Sequence, residues 1–282
     1  MQIKKTRNNS IKTLIKMALA EDLGSGDITT DSIVDRKKVV TAEFRAKEDG
    51  IIAGFPMAQM VFEVLDKKVK LSAKVSDGHK VKKGQVFATI TGPAHSVLKG
   101  ERLALNFLQR MSGIATLTSK YVEAVKGTNA KILDTRKTTP LWRKAEKQAV
   151  LAGGGENHRF GLYDAVLIKD NHIKFAGGID FAIAKVKSKK KKVSFVEVEA
   201  KNLEEVRKAI EAGIDRILLD NMNLHDLKEA VKICKKYHVS TEASGNVSLD
   251  NVRKIAQTGA NFISVGALTH SAKALDISLK IV

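Results

Sequence analysis

Cysteine is nearly absent: Cys234 is the only one in 282 residues. A single thiol can build neither a disulfide framework nor a cysteine-based structural zinc site, and the count fits a reducing, cytoplasmic compartment. Proline occurs three times, which excludes a proline-rich linker or a collagen-like segment. Aromatic residues make up 5% of the chain, with one Trp. That is thin for a protein that stacks the bases of single-stranded nucleic acid. Long apolar runs are missing too, since none approaches the ~18–20 residues needed to span a bilayer. The opening stretch, residues 1–10, is polar and basic and is not followed by an apolar signal-peptide core. Neither membrane spanning nor secretion is expected.

What the chain does have is charge of one sign. Lys and Arg number 49 against 31 Asp and Glu, a formal net charge of +18. Such a surface attracts nucleic acid, anionic lipid or phosphorylated metabolites. Much of the excess is lysine, and the run at 189–192 reads as a solvated helix end or loop. With 43% hydrophobic and 28% charged residues the balance is that of a globular protein. The length suggests about two domains of ~150 residues.

Texture changes along the chain near residue 115. Before it, Ile11, Leu14, Ile15, Ala18 and Leu19 recur at helical spacing over 11–21. Strand-like stretches follow at 39–46, 50–54, 69–75 and 85–92. Residues 77–84 have the composition of turns in lipoyl or biotinyl carrier modules, but no lysine-bearing hairpin tip, and read as scaffold. A long helix is expected from about Gly100 to Lys126, which puts Arg102 in its first turn, against the helix dipole. After Gly127, short apolar runs at 131–134, 164–169, 193–199, 216–220, 239–243 and 261–266 alternate with helical patterns. Asn202-Leu203-Glu204-Glu205 has the form of a capping box closed by Gly213, and 248–258 with Gly259 repeats the design. About six βαβ units in series imply a parallel sheet in a closed or nearly closed barrel.

In a barrel the site lies at the carboxyl ends of the strands. Those ends read Asp134-Thr135-Arg136-Lys137, Ile168-Lys169-Asp170, Glu197-Val198-Glu199, Asp220-Asn221, Glu242-Ala243-Ser244-Gly245-Asn246 and Val265-Gly266-Ala267. Arg136, Lys137 and Lys169 suit carboxylates or phosphates. His158 and Arg159 follow a Gly-rich stretch read as a flexible loop. Glu199 and Asp220 are hard oxygen donors suited to Mg²⁺ carrying phosphate. Ser244-Gly245 and Gly266-Ala267 are natural phosphate cradles. The pattern describes a barrel enzyme for a phosphorylated, strongly anionic substrate, with Mg²⁺.

Over nearly its full length the chain also resembles the quinolinate phosphoribosyltransferase family, known too as nicotinate-nucleotide pyrophosphorylases. The stretches that carry this are AEDLGSGDITTD at 20–31, GERLALNFLQRMSGIAT at 100–116 and DTRKTTPLWRKAEKQAVLAGGGENHRFGLYDAVLIKDNHI at 134–173. VEVEAKNLEE at 196–205, ILLDNM at 217–222, EASGN at 242–246 and SVGALTHS at 264–271 continue it in order. The resemblance implies an α/β chain of the type II phosphoribosyltransferase kind. Residues 1–115 would form an α/β sandwich domain, 116–269 an α/β barrel of about six parallel strands, and the tail 270–282 would pack on the first domain. It implies a pentosyltransferase of NAD biosynthesis. The enzyme would join quinolinate to 5-phosphoribosyl 1-diphosphate, giving nicotinate mononucleotide, CO₂ and diphosphate. It also implies a homo-oligomer, a dimer at least.

By similarity, Arg136, His158, Arg159 and Lys169 surround the quinolinate carboxylates, with Arg102 arriving from the neighbouring subunit. Lys137, with Thr135 beside it, reaches between quinolinate and diphosphate. Glu199 and Asp220 face the ribose and its Mg²⁺, largely through substrate or water. Lys137, Glu199 and Asp220 are thus the expected catalytic set. Ser244, Gly245, Asn246, Val265, Gly266 and Ala267 hold the 5-phosphate. His172 is open between a site role and a structural one. The lysine-rich segment 185–192 and the extreme N-terminus have no match in the family pattern. Two alternatives stand beside this. One is a same-fold paralogue acting on nicotinate or a molybdate-pathway ligand. The other is a basic nucleic-acid-binding protein, which the absence of a binding motif and the organised acids Glu199 and Asp220 argue against.

Overall fold

The computed structural model describes residues 2–189 and 193–282. In chain order its elements begin with α1 (Gln2–Leu23), α2 (Ile28–Ile33), β1 (Val39–Ala46), β2 (Gly50–Ile51), α3 (Phe55–Leu65), β3 (Lys70–Ala73), β4 (Lys80–Val81), β5 (Val86–Pro93) and α4 (Ala94–Ala124). They continue with β6 (Lys131–Leu133), α5 (Arg143–Ala152), β7 (Val166–Ile168), α6 (Asp170–Ala176), α7 (Ile179–Ser188), β8 (Val196–Ala200), α8 (Leu203–Glu211) and β9 (Arg216–Asp220). The last are α9 (Leu224–Lys236), β10 (Ser240–Ser244), α10 (Val252–Ala256), β11 (Phe262–Ser264), α11 (Ala267–His270) and β12 (Ile277–Ile281). The chain divides into two units. The first is Met1–Leu117, Pro140–Gly154 and Ala272–Val282; the second is Thr118–Thr139 and Gly155–Ser271.

The first unit is built on an antiparallel sheet of order β12-β1-β5-β3. Along β1 the side chains of Val40, Ala42, Phe44 and Ala46 alternate into the core. Phe87 packs between Phe44 and Phe55, with ring centroids 6.2 and 5.9 Å away. The strand expected over 50–54 stops at Ile51, because Gly54 turns left-handed (φ 110°) to open α3. The Asp77 carboxylate accepts the Gly54 and Phe55 amides there, at 3.0 and 3.2 Å. The turn at 77–84 is thus tied into the scaffold.

Two sequence expectations change in this unit. The long helix starts at Ala94, not near Gly100. Gly100 is a close-approach position inside it: a Cβ there would sit 2.5 Å from a Phe62 ring carbon. Arg102 therefore lies in the third turn, and the dipole argument against it falls away. Residues 140–154, expected in the barrel domain, group with the first unit. The reason is local. Trp142 stacks on Phe107 of α4, centroids 4.4 Å apart, and the buried Glu146 carboxylate receives Arg110 at 2.9 Å.

The second unit carries six parallel strands in the order β6-β11-β10-β9-β8-β7. From β7 to β11 each strand lies beside its successor, and β11 lies beside β6. That is the winding of a barrel. Between β6 and β7 the described residues form no ladder; a single parallel bridge joins Leu133 to Glu156. The helices are started as the sequence pattern anticipates at α8, where the Asn202 side chain accepts the Glu205 amide at 2.9 Å. Glu205 reaches back to the Lys201 amide, and Gly213 (φ 72°) ends the segment. The design is not repeated at 248–258. There α10 starts only at Val252, because the Asn251 side chain is spent on the Ser248 amide and the Asn246 carbonyl. Of the lysine run, Lys189 caps α7 and residues 190–192 lie outside the described part.

Gly113 tests the packing of the first unit. Inside α4, it has the Lys273 carbonyl where a Cβ would go. Gly113→Ala is expected to lower stability by ~1–3 kcal/mol through overpacking, although alanine is the better helix former. A drop in the urea midpoint at unchanged slope checks it.

Candidate active site

The strand ends of the second unit enclose a cavity of about 500 Å³. Thr135, Arg136 and Lys137 line it from beyond β6, Lys169 from β7 and Glu199 from β8. Asp220 and Asn221 come from β9, Ser244, Gly245 and Asn246 from β10, and Ser264 and Gly266 from β11. His158 and Arg159 complete the wall.

The cations are held from behind. Lys137 donates its amide to the Thr135 hydroxyl (3.0 Å), and its carbonyl accepts the buried Thr269 hydroxyl (2.7 Å). Gly266 leaves room for its stem, since a Cβ there would meet Lys137 Cδ at 3.1 Å. The Lys169 amide donates to His172 Nδ1 at 2.9 Å, so His172 serves as a local cap. His158 and Arg159 are buried, not carried on a flexible loop. The Asp134 carboxylate accepts the His158 amide (2.9 Å), Asp164 accepts those of Phe160 and Gly161 (2.7 and 2.9 Å), and the Arg159 guanidinium donates to the Ala165 carbonyl (3.1 Å). Burial and the neighbouring Arg136 charge hold Arg159 below its ordinary pKa. An anion bound between the two guanidiniums would relieve both.

The acids sit opposite. Burial, then the negative charge of Asp220, pushes the Glu199 carboxyl above its usual range, and Lys169 at 3.6 Å pulls it partly back. Two neighbouring carboxylates that repel each other favour a cation between or beside them. As a hard-oxygen pair with too few donors for a full cage, they fit Mg²⁺ that keeps waters and substrate phosphates.

Beneath the cavity lies a buried cluster whose role the sequence pattern did not reveal. Glu197 of β8, Arg216 of β9 and Glu242 of β10 meet His158 in the sheet interior. His158 Nε2 is 3.1 Å from Glu197 and 3.3 Å from Glu242. Arg216 bonds Glu242, and its Nε lies 2.9 Å from Glu197 at an angle that makes no hydrogen bond. Ser264 donates to Glu242. The guanidinium is covered by the Phe195 and Phe262 rings, 5.0 and 4.0 Å from their centroids. His158, Glu197 and Glu242 bring their ligand atoms within 4.8 Å, a three-ligand metal spacing. Arg216 already reaches both carboxylates, so a metal there would compete with a fixed cation. A sequence signal existed: Glu197 is two residues from Glu199, hence on the same strand face.

Burial works against the imidazolium. Hydrogen bonds to Glu197 and Glu242, with their charges, outweigh it and hold His158 up to about 9, from 6.5. Against the cost of burial, His158 and Arg216 pull Glu242 down; burial and the Glu242 charge push Glu197 up. The Arg159 amide points at His158 Nδ1 (2.7 Å), which requires that nitrogen unprotonated. That bond opposes the rise, since protonation of Nδ1 would cost it.

The remaining expected site residues fall elsewhere. Val265 is buried and its amide is spent on the Leu133 carbonyl at 2.9 Å; neither it nor Ala267 lines the cavity. Arg102 is an exposed residue of the first unit. Glu242, Asn221 and Ser264 line the cavity beyond the expected set.

A raised histidine pKa fixes the sign of a pH effect. The stability that His158 contributes is fully present below about 6.5 and lost as pH rises through about 9. NMR of the His158 ring should show that late titration. In Glu242→Gln it should move towards the ordinary range, and the fall in stability across that window should shrink.

Two family models match the chain. The C-terminal domain of quinolinate phosphoribosyl transferase covers residues 114–280 and its N-terminal domain covers 27–112. An Arabidopsis thaliana protein named nicotinate-nucleotide pyrophosphorylase [carboxylating], chloroplastic, is 49% identical over 290 residues, 96% of this chain and 82% of that one. A Bacillus subtilis protein named probable nicotinate-nucleotide pyrophosphorylase [carboxylating] is 43% identical over 271 residues, 96% of this chain and 93% of that one. The solved structure of the nicotinate-nucleotide pyrophosphorylase from Francisella tularensis superposes with a TM-score of 0.93 at 42% identity, covering 98% of this chain and 97% of that one. With both domains matched and relatives of this identity along almost its whole length, the chain belongs to the quinolinate phosphoribosyl transferase family.

Proposed function

We propose that the cavity transfers the phosphoribosyl group of 5-phosphoribosyl 1-diphosphate to quinolinate, releasing diphosphate and CO₂ and leaving nicotinate mononucleotide. The observation that carries this is the cavity's lining: the Lys and Arg cations Arg136, Lys137, Arg159 and Lys169 share one chamber with the carboxylates Glu199 and Asp220, while the third acid there, Glu242, is held by Arg216 and His158. Quinolinate brings two carboxylates, and the donor brings a phosphate and a diphosphate. A substrate pair so anionic needs neutralising cations. A ribosyl carbon that becomes positive as diphosphate leaves needs acids.

The roles follow from position. Arg136 and Arg159 clamp the quinolinate carboxylates, with Lys169 and His158 at their edge. Lys137, on its braced loop, neutralises diphosphate as it departs. Glu199 and Asp220 stabilise the positive anomeric carbon; quinolinate nitrogen attacks it, the C2 carboxylate leaves as CO₂ and the ring carbon takes a proton. Ser244, Gly245, Asn246 and Gly266 hold the 5-phosphate. Mg²⁺, held by Glu199 and Asp220 through substrate or water, would neutralise diphosphate charge. Much of the rate comes from orientation and charge stabilisation by groups already held in place around the cavity. No described helix is long and apolar enough to cross a membrane. With Cys234 buried and unpaired, a cytoplasmic site of action fits.

Diphosphate release tests the reading. It should require quinolinate, the ribosyl donor and Mg²⁺, and should fail with nicotinate in place of quinolinate. Release with nicotinate would point to the paralogue reading.

We also propose a dimer in which Arg102 completes the partner's site. Arg102→Ala and Lys169→Ala would each be inactive alone. Mixed and allowed to exchange, about half the dimers are mixed and each has one intact site, so activity should return to roughly a quarter of wild type. No recovery, with exchange verified by mass, would mean that Arg102 serves its own chain. Full activity of Arg102→Ala alone would remove it from the site.

A further inference from the structure

Among the described residues four non-glycine positions have left-handed backbone: Leu141, Asn221, His238 and Asn246. Two of these, Asn221 (φ 54°) and Asn246 (φ 49°), line the same cavity and hydrogen-bond each other. Left-handed residues cost free energy unless their surroundings enforce them, and they gather at functional sites. Asparagine bears that conformation better than most side chains.

Asn221 follows Asp220, the last residue of β9. Its amide donates to the Ser244 carbonyl at 2.9 Å, which extends the β9–β10 pairing one step past Asp220 and Ser244. Its backbone then turns left-handed and its side chain swings over the neighbouring loop. The Asn221 Oδ1 accepts from Asn246 Nδ2 at 3.1 Å. Between these two contacts lies Gly245 (φ 101°), pressed so closely against the Asn221 amide that a Cβ would overlap it. On the far side the Asn246 carbonyl accepts from Asn251 Nδ2 at 2.9 Å. A chain of three asparagines therefore fastens the loop after β10 to the end of β9. No described contact of the loop does the same from β11.

We propose that Asn221 is a positioning residue for the phosphate-ester end of the ribosyl substrate, clasping the Ser244–Asn246 loop at a set distance from Asp220. This rests on the proposed function, which puts a sugar phosphate across those two strand ends. The clasp explains why a glycine is needed at 245 and why both flanking left-handed positions are asparagine. It also gives the site one rigid edge reading sugar to phosphate, while the quinolinate clamp is built on other strands. Loss of the clasp should weaken the sugar phosphate and leave the diacid alone.

The test uses Asn221→Gly, Asn246→Gly and the double variant, since glycine keeps the left-handed backbone; at 221 it removes the clasp bond, and at 246 the clasp bond together with the side chain's own place at the phosphate. Ribose 5-phosphate binding is measured by calorimetry, and KM for both substrates by diphosphate release. Each single variant should lose about tenfold in ribose 5-phosphate affinity, equivalent to about 1.4 kcal/mol. KM for the ribosyl donor should rise similarly, with KM for quinolinate within about twofold. The double variant should lose no more than Asn246→Gly alone, because Asn221 acts on the phosphate only through its bond to Asn246. Unchanged ribose 5-phosphate affinity, equal weakening of both substrates, or additive losses would overturn the proposal. So would a wild-type protein that does not bind ribose 5-phosphate. A wild type that binds it, loses it in the variants, yet turns over no quinolinate would overturn the proposed reaction and leave the clasp standing.

Discussion

Four ionisable side chains share the interior of the parallel sheet, and each is largely buried. Burying a carboxylate alone costs several kcal/mol, so Glu197 and Glu242 are tolerable only with cations in contact. Arg216 and His158 supply them, from β9 and from the segment after Glu156. The requirement reaches outward. Each partner comes from a different stretch of chain, so the charges pair only if β8, β9 and β10 keep their register. A one-residue slip would turn the charges out of the interior and leave others unpaired. His158 is drawn into the cluster, and Arg159 follows it in sequence, so the cluster also places a cavity guanidinium. The floor of the site and the alignment of the sheet are thus one electrostatic problem.

Above that floor the cavity is divided by charge. Cations enter from the loops after β6 and β7 and from the His158–Arg159 segment, acids from the ends of β8 and β9, and small backbone-rich loops from β10 and β11. The division suits a reaction in which anions must be gathered and a positive carbon is exposed as one of them leaves. Several of the supports are side chains that hold the backbone of the site. Thr269 holds the Lys137 carbonyl and His172 caps the Lys169 amide. Asn221 binds one strand end to the next. Preorganisation of this kind places charges where they are wanted before substrate arrives.

Much of this was legible in the amino-acid order. Six apolar runs separated by helical patterns and capped by Asn202 and Gly213 state a parallel α/β sheet, because period and caps are local properties. Arg136, Lys137, Lys169, Glu199, Asp220 and Ser244 fall at the ends of those runs, and a barrel brings strand ends together. Glu197, Arg216 and Glu242 were harder. Each stands in an apolar run, but one sequence does not say which buried acid meets which buried base. The helix expected from about Gly100 begins at Ala94, and only Phe62, packed against Gly100, explains why a glycine stands inside it. The placement of 140–154 was missed for the same reason, as Trp142 and Glu146 have their partners far away in α4.

The sequence by itself determined the strand and helix alternation, the chemical types at the strand ends and the family to which the chain belongs. These depend on neighbours within a few residues, or on motifs read in order. The tertiary structure alone decided the buried charge pairing, the left-handed clasp of Asn221 with Asn246, and the bond of the Val265 amide to the Leu133 carbonyl. Each of these joins residues from different strands. Their energies arise from distance and exclusion of water, which no linear spacing encodes.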